Sequence, residues 1–328
     1  MTMDPKSVAA IALLAQLLWP AAHAQAQSGA AAYPVKPIRM VIPQAAGGNT
    51  DFIGRLIGDH LNRAWNVPVI IDNRGGAGGN IGNEIVAKAA PDGYTLLTAS
   101  PALVTSPALY RSLSYDATKD FAPVAIIAII PQVLAVHPAV PAKSVKELLQ
   151  IARDKPGSLN TAAPGPGSGP QVAAALFITM ANVNIVQIAY KGTGPALVDL
   201  LAGQVQMQFG GLPALMPHIK TGRIRALGIS TARRSPSLPE LPTIAESGVP
   251  GYETAGWNGL AVPAATPRPI VTALAEQVKA FQQRPDMKKR FAEQGAEAVE
   301  SSPEQFRAFI VREVQQWKKV LKPDDSLP

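Results

Sequence analysis

The chain has 328 residues, no cysteine, and a formal charge of +7 from 30 Lys and Arg against 23 Asp and Glu. Without cysteine there is no disulfide, thiolate nucleophile or zinc–cysteine site, and basic residues scattered without aromatic interleaving argue against a nucleic-acid partner. The length suggests two domains of ordinary size, and 47% hydrophobic with only 5% aromatic residues describes a globular chain rich in Ala and Val.

The N-terminus reads as an address. An apolar stretch over 8–19 is followed by Pro20-Ala21-Ala22-His23-Ala24, and small residues at Ala22 and Ala24 fit a cleavage rule for exported proteins. Residues 1–26 are therefore expected to be a secretory signal, too short in its apolar part to span a bilayer, and the mature protein to be soluble and periplasmic. No later segment has the character of a membrane span, since Pro123 and Pro131 flank and interrupt the best candidate, 124–136. The remaining excess of positive charge serves solubility or mild steering of acidic ligands.

From residue 36 short apolar runs alternate with periodic stretches. Strands are expected at 38–42, 67–72, 94–98, 124–130, 133–136, 184–188, 205–209 and 226–230, with a further β-type segment at 252–262. Between them, Phe52, Ile53, Leu56, Ile57 and Leu61 share one face of a helix that starts near Asn49 or Thr50, either of which is placed to cap it. Ser144-Val145-Lys146-Glu147 is a capping-box sequence. Pro195 suits the first turn of a helix carrying Leu197, Leu200 and Leu201. Ser302-Pro303-Glu304-Gln305 opens a last helix with Phe306, Phe309, Ile310, Val314 and Trp317 on one face. The alternation argues an α/β protein with largely parallel sheets. The long apolar run 124–136, broken by Pro131, and the segment 252–262 read as paired crossovers between two domains: 33–128 plus 259–328, and 129–258.

Enzymatic machinery is missing. The four histidines (His23, His60, His137, His218) lack metal-ligand spacing, and Ser168 is flanked at two residues by Pro166 and Pro170 where a nucleophile elbow needs glycines. None of the 27 glycines builds a GxGxxG or a GK[ST] phosphate loop. What stands out instead are glycine-rich turns between a strand and a helix, where free N–H groups and the positive helix end converge on an anion. The first is Gln44-Ala45-Ala46-Gly47-Gly48-Asn49-Thr50-Asp51, with Gln44 able to donate to a carboxylate and Asp51 expected as a surface residue that complements the helix dipole. The second is Gly165-Pro166-Gly167-Ser168, before a helical stretch from Val172. A third cluster, 73–82, reads equally as a cleft edge or a plain turn. Tyr190-Lys191-Gly192 and Phe209-Gly210-Gly211 end later strands, where parallel α/β sheets gather ligands: Tyr190 suits an apolar ligand body, and Lys191 supplies charge or is a solvated head.

The ordered segments Tyr33-Pro34-Val35-Lys36-Pro37, Pro43…Gly47-Gly48…Asp51, Asp72-Asn73-Arg74-Gly75-Gly76-Ala77-Gly78-Gly79, Ala90-Pro91-Asp92-Gly93-Tyr94, Tyr190-Lys191-Gly192 and Leu241-Pro242-Thr243-Ile244 resemble the receptors of tripartite tricarboxylate transporters, the Bug-type solute-binding proteins. The resemblance runs over essentially the whole mature chain. It implies a two-domain periplasmic-binding-protein fold of the Venus flytrap, type II-like kind, each domain a mainly parallel sheet flanked by helices. It also implies a monomer that closes on a small organic carboxylate and docks on membrane permease subunits, with no cofactor, metal or catalysis. By position it makes Gln44 to Asp51 and Gly165 to Ser168 the clamping loops, with Ser100, Tyr190, Lys191, Gly192, Phe209, Gly210 and Gly211 completing the ligand-binding set. The chain departs from the family at Gln44-Ala45-Ala46, where an aromatic residue and prolines are frequent, at Pro166 and Pro170-Gln171, and at Leu103. Gly210 replaces a frequent Asp, which argues against a ligand bearing an amino group. A sensor that docks on a signalling protein, or a periplasmic enzyme acting on the same acid, are the alternatives left open.

Overall fold

The computed structural model describes residues 33–321 and 323, apart from 191 and 294. The expected signal at 1–26 and the side chain of Lys191 lie outside the described residues. From residue 36 onward the strands form two sheets. The six-stranded sheet has the order β11-β4-β10-β3-β1-β2. Its strands are β1 (Ile38–Ile42), β2 (Val69–Asn73), β3 (Thr95–Ala99), β4 (Phe121–Ile130), β10 (Gly256–Pro263) and β11 (Glu297–Ala298). The five-stranded sheet, β7-β6-β8-β5-β9, is built from β5 (Gln132–Val136), β6 (Asn160–Pro164), β7 (Val186–Tyr190), β8 (Met207–Gly211) and β9 (Arg225–Ile229).

The expectation of mainly parallel sheets needs correction, because both are mixed. β1 pairs in parallel with β2 and β3, and β6 with β7 and β8, but β10 is antiparallel to β3 and β4, and β5 to β8 and β9. The reason lies in the crossovers. Pro131 has no N–H to give a ladder, and the chain leaves the first sheet there. β5 therefore enters the second sheet at the edge where β6 and β8 finish, and must run against them. β10 makes the return trip and lies reversed between β3 and β4.

Helices cover these sheets: α1 (Asn49–Trp65), α2 (Asn80–Ala87), α3 (Ala102–Leu109), α4 (Val145–Asp154), α5 (Gly169–Ala181), α6 (Thr193–Leu201), α7 (Leu212–Lys220), α8 (Arg268–Gln283), α9 (Pro285–Glu293) and α10 (Pro303–Val320). The capping-box sequence at the last helix forms as expected: Ser302 Oγ accepts from Gln305 N, and Gln305 Oε1 accepts from Ser302 N. Ser144 caps α4 in the same sense, while Glu147 accepts from Lys143 N rather than from the cap residue. The face of α10 carrying Phe306, Ile310, Val314 and Trp317 is buried. Phe306 and Phe309 set their rings edge-on around Trp257 of β10, with centroids 5.5 and 5.3 Å away. The same core cluster takes in Phe177 of α5, Phe209 of β8 and Tyr252, whose hydroxyl donates to Ala173 O at 2.8 Å. No helix among the described residues is long and apolar enough to cross a membrane.

Strand β6 carries no sequence signal. Asn160-Thr161-Ala162-Ala163-Pro164 is small and barely β-branched, yet it sits between β7 and β8 with α5 and α6 packed against it. Small residues there let both helices approach, so tertiary packing decides the state that propensity leaves open.

Candidate functional site

The site is built from the loops and helix starts at the facing edges of the two sheets. On the first sheet β1 ends at Ile42 and the chain passes through the first glycine loop into α1. Gly48 is the N-cap and offers no side-chain bond, so neither Asn49 nor Thr50 caps the helix as expected. Thr50 is buried instead, with its Oγ1 accepting from Asn258 Nδ2 of β10 at 3.1 Å, and the same amide donates to Ala99 O. Asn258 thus ties the start of α1 to the end of β3. The N–H groups of the first turn of α1 are left aimed out of the helix end without a side-chain cap.

Asp51 also departs from expectation. It is 4% exposed, and its carboxylate accepts from Gly47 N at 2.9 Å, from Asn73 Nδ2 at 2.9 Å and from the Arg55 guanidinium at 2.9 to 3.0 Å. Asn73 Nδ2 also donates to Gln44 O at 3.1 Å, which closes a ring around residues 44–51. Asp51 is a brace for the loop and not a surface complement to the dipole. Burial pushes its carboxyl pKa up, but bonds to Arg55, Gly47 and Asn73 outweigh this and hold it below the ordinary carboxylate value. Held in this way, the loop presents Ala45, Ala46 and Gly47 to solvent. Gly47 has φ +87°, and a Cβ built there would meet no atom within 4 Å.

On the second sheet β6 ends in the second loop. Gly165 (φ +87°) is equally open, with nothing within 4 Å of a built Cβ. Ser168 caps α5: its Oγ accepts from Gln171 N and donates to Gly165 O at 2.9 Å, while Gln171 Oε1 accepts from Gly167 N. The hydroxyl of Ser168 is therefore committed to shaping the loop. Pro166 is half-buried beside it.

The two loops belong to different sheets and come together. Thr105 of α3 donates from Oγ1 to Gly167 O at 3.1 Å. A Cβ on Gly78, in the third glycine cluster, would lie 3.1 Å from Pro166 O. One on Gly211, the last residue of β8, would lie 2.7 Å from Asn49 Nδ2 at the start of α1. The third cluster is thus part of this meeting edge. Ser100 directly follows β3 and is 1% exposed, with its Oγ buried and unbonded among the described residues.

The remaining expected residues divide. Tyr190 is the last residue of β7, and its hydroxyl donates to Asp199 Oδ2 at 2.7 Å; burial and that carboxylate push its pKa up to about 12. Gly192 precedes α6 with open space around it. Phe209 is fully buried against Phe177, ring centroids 5.6 Å apart, so its ring is core and not a ligand wall. Gly210 faces Leu215, whose Cδ1 would be 2.8 Å from a built Cβ, and no acidic side chain fits there without moving that leucine. Sequence reading passed over Asn73, Arg55, Thr105 and Asn258. Asn73 stood within the third glycine cluster, and the others carried no local signal. Of the histidines, His60 is buried beside Phe281, ring centroids 5.5 Å apart, away from these loops. Two surface cavities, of about 390 and 350 Å³, lie elsewhere, against α8 with the start of α10 and against α3 with the end of α10.

Comparison with known proteins agrees with this architecture. A family model described as tripartite tricarboxylate transporter family receptor matches residues 53–325. Protein BugT of Bordetella pertussis is 36% identical over 292 residues, covering 88% of this chain and 90% of its own. A protein of R. palustris solved with adipate is 39% identical with a TM-score of 0.83, over 88% of this chain and 97% of that one. MatC from Rhodopseudomonas palustris, solved with bound malate, is 32% identical with a TM-score of 0.81, over 88% and 99%.

Proposed function

Because the chain belongs to the tripartite tricarboxylate transporter receptor family, we propose that it is an exported receptor that captures a small carboxylate between its two sheets and delivers it to the membrane subunits of a tripartite transporter. Members of the family are solute-binding receptors rather than enzymes, and BugD is a periplasmic binding protein. The observation that carries the reading is the pair of open glycine loops, one ending a strand of each sheet, with an uncapped helix N-terminus behind the first. A carboxylate seated there takes the N–H groups that no side chain caps, and the positive end of α1 favours its charge.

In this account residues 33–128 plus 259–328 form the first domain and 129–258 the second, hinged at the crossovers beside Pro131 and Gly256. Gln44 to Asp51 hold the carboxylate by backbone donors, with Asp51 shaping the loop. Gly165 to Ser168, Gly192 and Gly211 line the opposite wall. Closure brings the walls together around the ligand and creates the form that a permease recognises. Adipate and malate, bound by relatives 39% and 32% identical, make dicarboxylates the first class to try.

Thermal denaturation against mono-, di- and tricarboxylates tests the reading. A ligand at a hundred times its Kd raises stability by about 2.7 kcal/mol. Absence of any shift across the series would overturn it. Co-purification with the permease subunits, strengthened by the ligand, tests the delivery step.

A further inference from the structure

Gln132 opens β5 where the two crossovers lie side by side. It is 2% exposed. Its Nε2 donates to Ile130 O at 3.0 Å, while its Oε1 is buried without a hydrogen-bond partner among the described residues. Buried amide oxygens in folded proteins rarely go unpaired, because in a low-dielectric interior the loss is not repaid by water.

Its neighbours place this amide. Gln132 pairs with Gly211 across β5 and β8, the glycine whose Cβ position lies 2.7 Å from Asn49 Nδ2. A Cβ built on Gly169, the first residue of α5, would lie 3.6 Å from Gln132 Nε2, and one on Gly256 only 2.7 Å from it. The amide therefore stands at the floor where the starts of α1 and α5 meet both crossovers. Its backbone is pinned as well. Gln132 N donates to Ser230 Oγ at 2.9 Å, Ser230 N donates to Gln132 O at 2.8 Å, and Ser230 Oγ donates onward to Thr254 O at 2.6 Å. Ser230 is fully buried, so one hydroxyl fastens the outgoing and the returning segment together and holds the amide in place.

We infer that Gln132 is a specificity-determining residue: its Oε1 accepts a hydrogen bond from a ligand hydroxyl, so that the receptor prefers a hydroxy-carboxylate to the matching unsubstituted acid. The inference rests on the carboxylate-receptor reading above and names the class of acid. A hydroxyl suits the place better than an ammonium. The acidic groups nearest these loops are already engaged, Asp51 by Arg55, Asn73 and Gly47 N and Asp199 by Tyr190. Leu215 covers the position at Gly210 where a carboxylate would otherwise stand. A site built to bond a substrate hydroxyl rejects the analogue that lacks it, because the protein group is then left unpaired in the closed cleft.

Calorimetry with the mature protein decides this. The probes are malate against succinate, and 2-hydroxy- and 3-hydroxyadipate against adipate. At least one hydroxy acid is expected to bind about tenfold or more tightly than its parent, and in Gln132→Met that ratio should fall to about two or less. Equal binding of every pair by the wild type overturns the inference while leaving the receptor reading intact, and needs no variant to fold. A preference that survives in Gln132→Met overturns it too. If no carboxylate binds at all, the receptor reading falls first.

Discussion

Substituting Gly211 by alanine separates closure from folding. Gly211 has φ −58° and ψ 134°, a conformation open to any L-residue, so the backbone gives alanine no strain. Towards Ile130 Cγ2 at the end of β4 and Pro213 Cδ in α7 the new methyl is tolerable, at 3.4 and 3.7 Å. Against Asn49 Nδ2 it is not: 2.7 Å is about 0.7 Å short of ordinary contact. Asn49 starts a helix of the first sheet, so the clash opposes the meeting of the two sheets and not the fold of either. Turning the end of that flexible side chain aside costs about 1 kcal/mol, or roughly 5-fold in Kd for a ligand that needs the closed form. Titration calorimetry of Gly211→Ala with the best dicarboxylate reads the loss, and the ligand-free Tm should stay level or rise slightly, since alanine restricts the unfolded chain. Adding Asn49→Ala removes the clashing amide and should recover most of the affinity. A Kd within twofold of wild type, or a collapse of the ligand-free Tm, would refute the cross-cleft contact.

Other substitutions probe the parts separately. Thr105→Val removes the donor to Gly167 O and should weaken ligand binding about fivefold in calorimetry with the Tm little changed; unaltered binding would mean the bond does not couple the loops. Gly82→Ala places a methyl 2.6 Å from Pro43 Cα and 2.9 Å from Arg74 O, contacts with backbone that cannot swing away. It should cost about 3 kcal/mol and lower the Tm by several degrees in thermal denaturation, and an unchanged Tm would rule out the packing described. Asp51 is held below its ordinary pKa, so its contribution to stability is complete above the unfolded value of about 3.9 and is lost as pH falls through the folded one. The Tm gap between wild type and Asp51→Asn should therefore be widest above about pH 4 and shrink in more acid solution. A gap that grows on acidification would reverse the assignment.

Much of this was legible in the chain. Ile38–Ile42 reads as a strand from its apolar run, and α1 from the spacing of Ile53, Ile57 and Leu61. Pro131 marks the break that separates β4 from β5, because at the crossing it has no N–H to donate to either ladder. The ends of strands were less clear. β7 and β8 run two residues further than expected, through Tyr190 and Gly211, because sheet pairing carries residues that look like turn formers. The brace at Asp51 was invisible since its partner Asn73 is brought in by β2, whose register against β1 fixes the distance. Gln132 was hidden in the same way: in a long apolar run it looks like an interruption, and only the facing ends of two sheets give it a role.

Everything proposed for this receptor turns on backbone donors of the first loop holding a carboxylate between the sheets. A calorimetric comparison of adipate or malate, whichever binds, with its diamide isolates that contact, because the diamide keeps the size and the chain but removes both negative charges. Saturable binding of the acid at one site is expected, with a loss of at least about a hundredfold for the diamide, as charge-assisted bonds at a helix end are withdrawn. Diamide binding as tight as that of the acid would show that the loop does not hold a carboxylate.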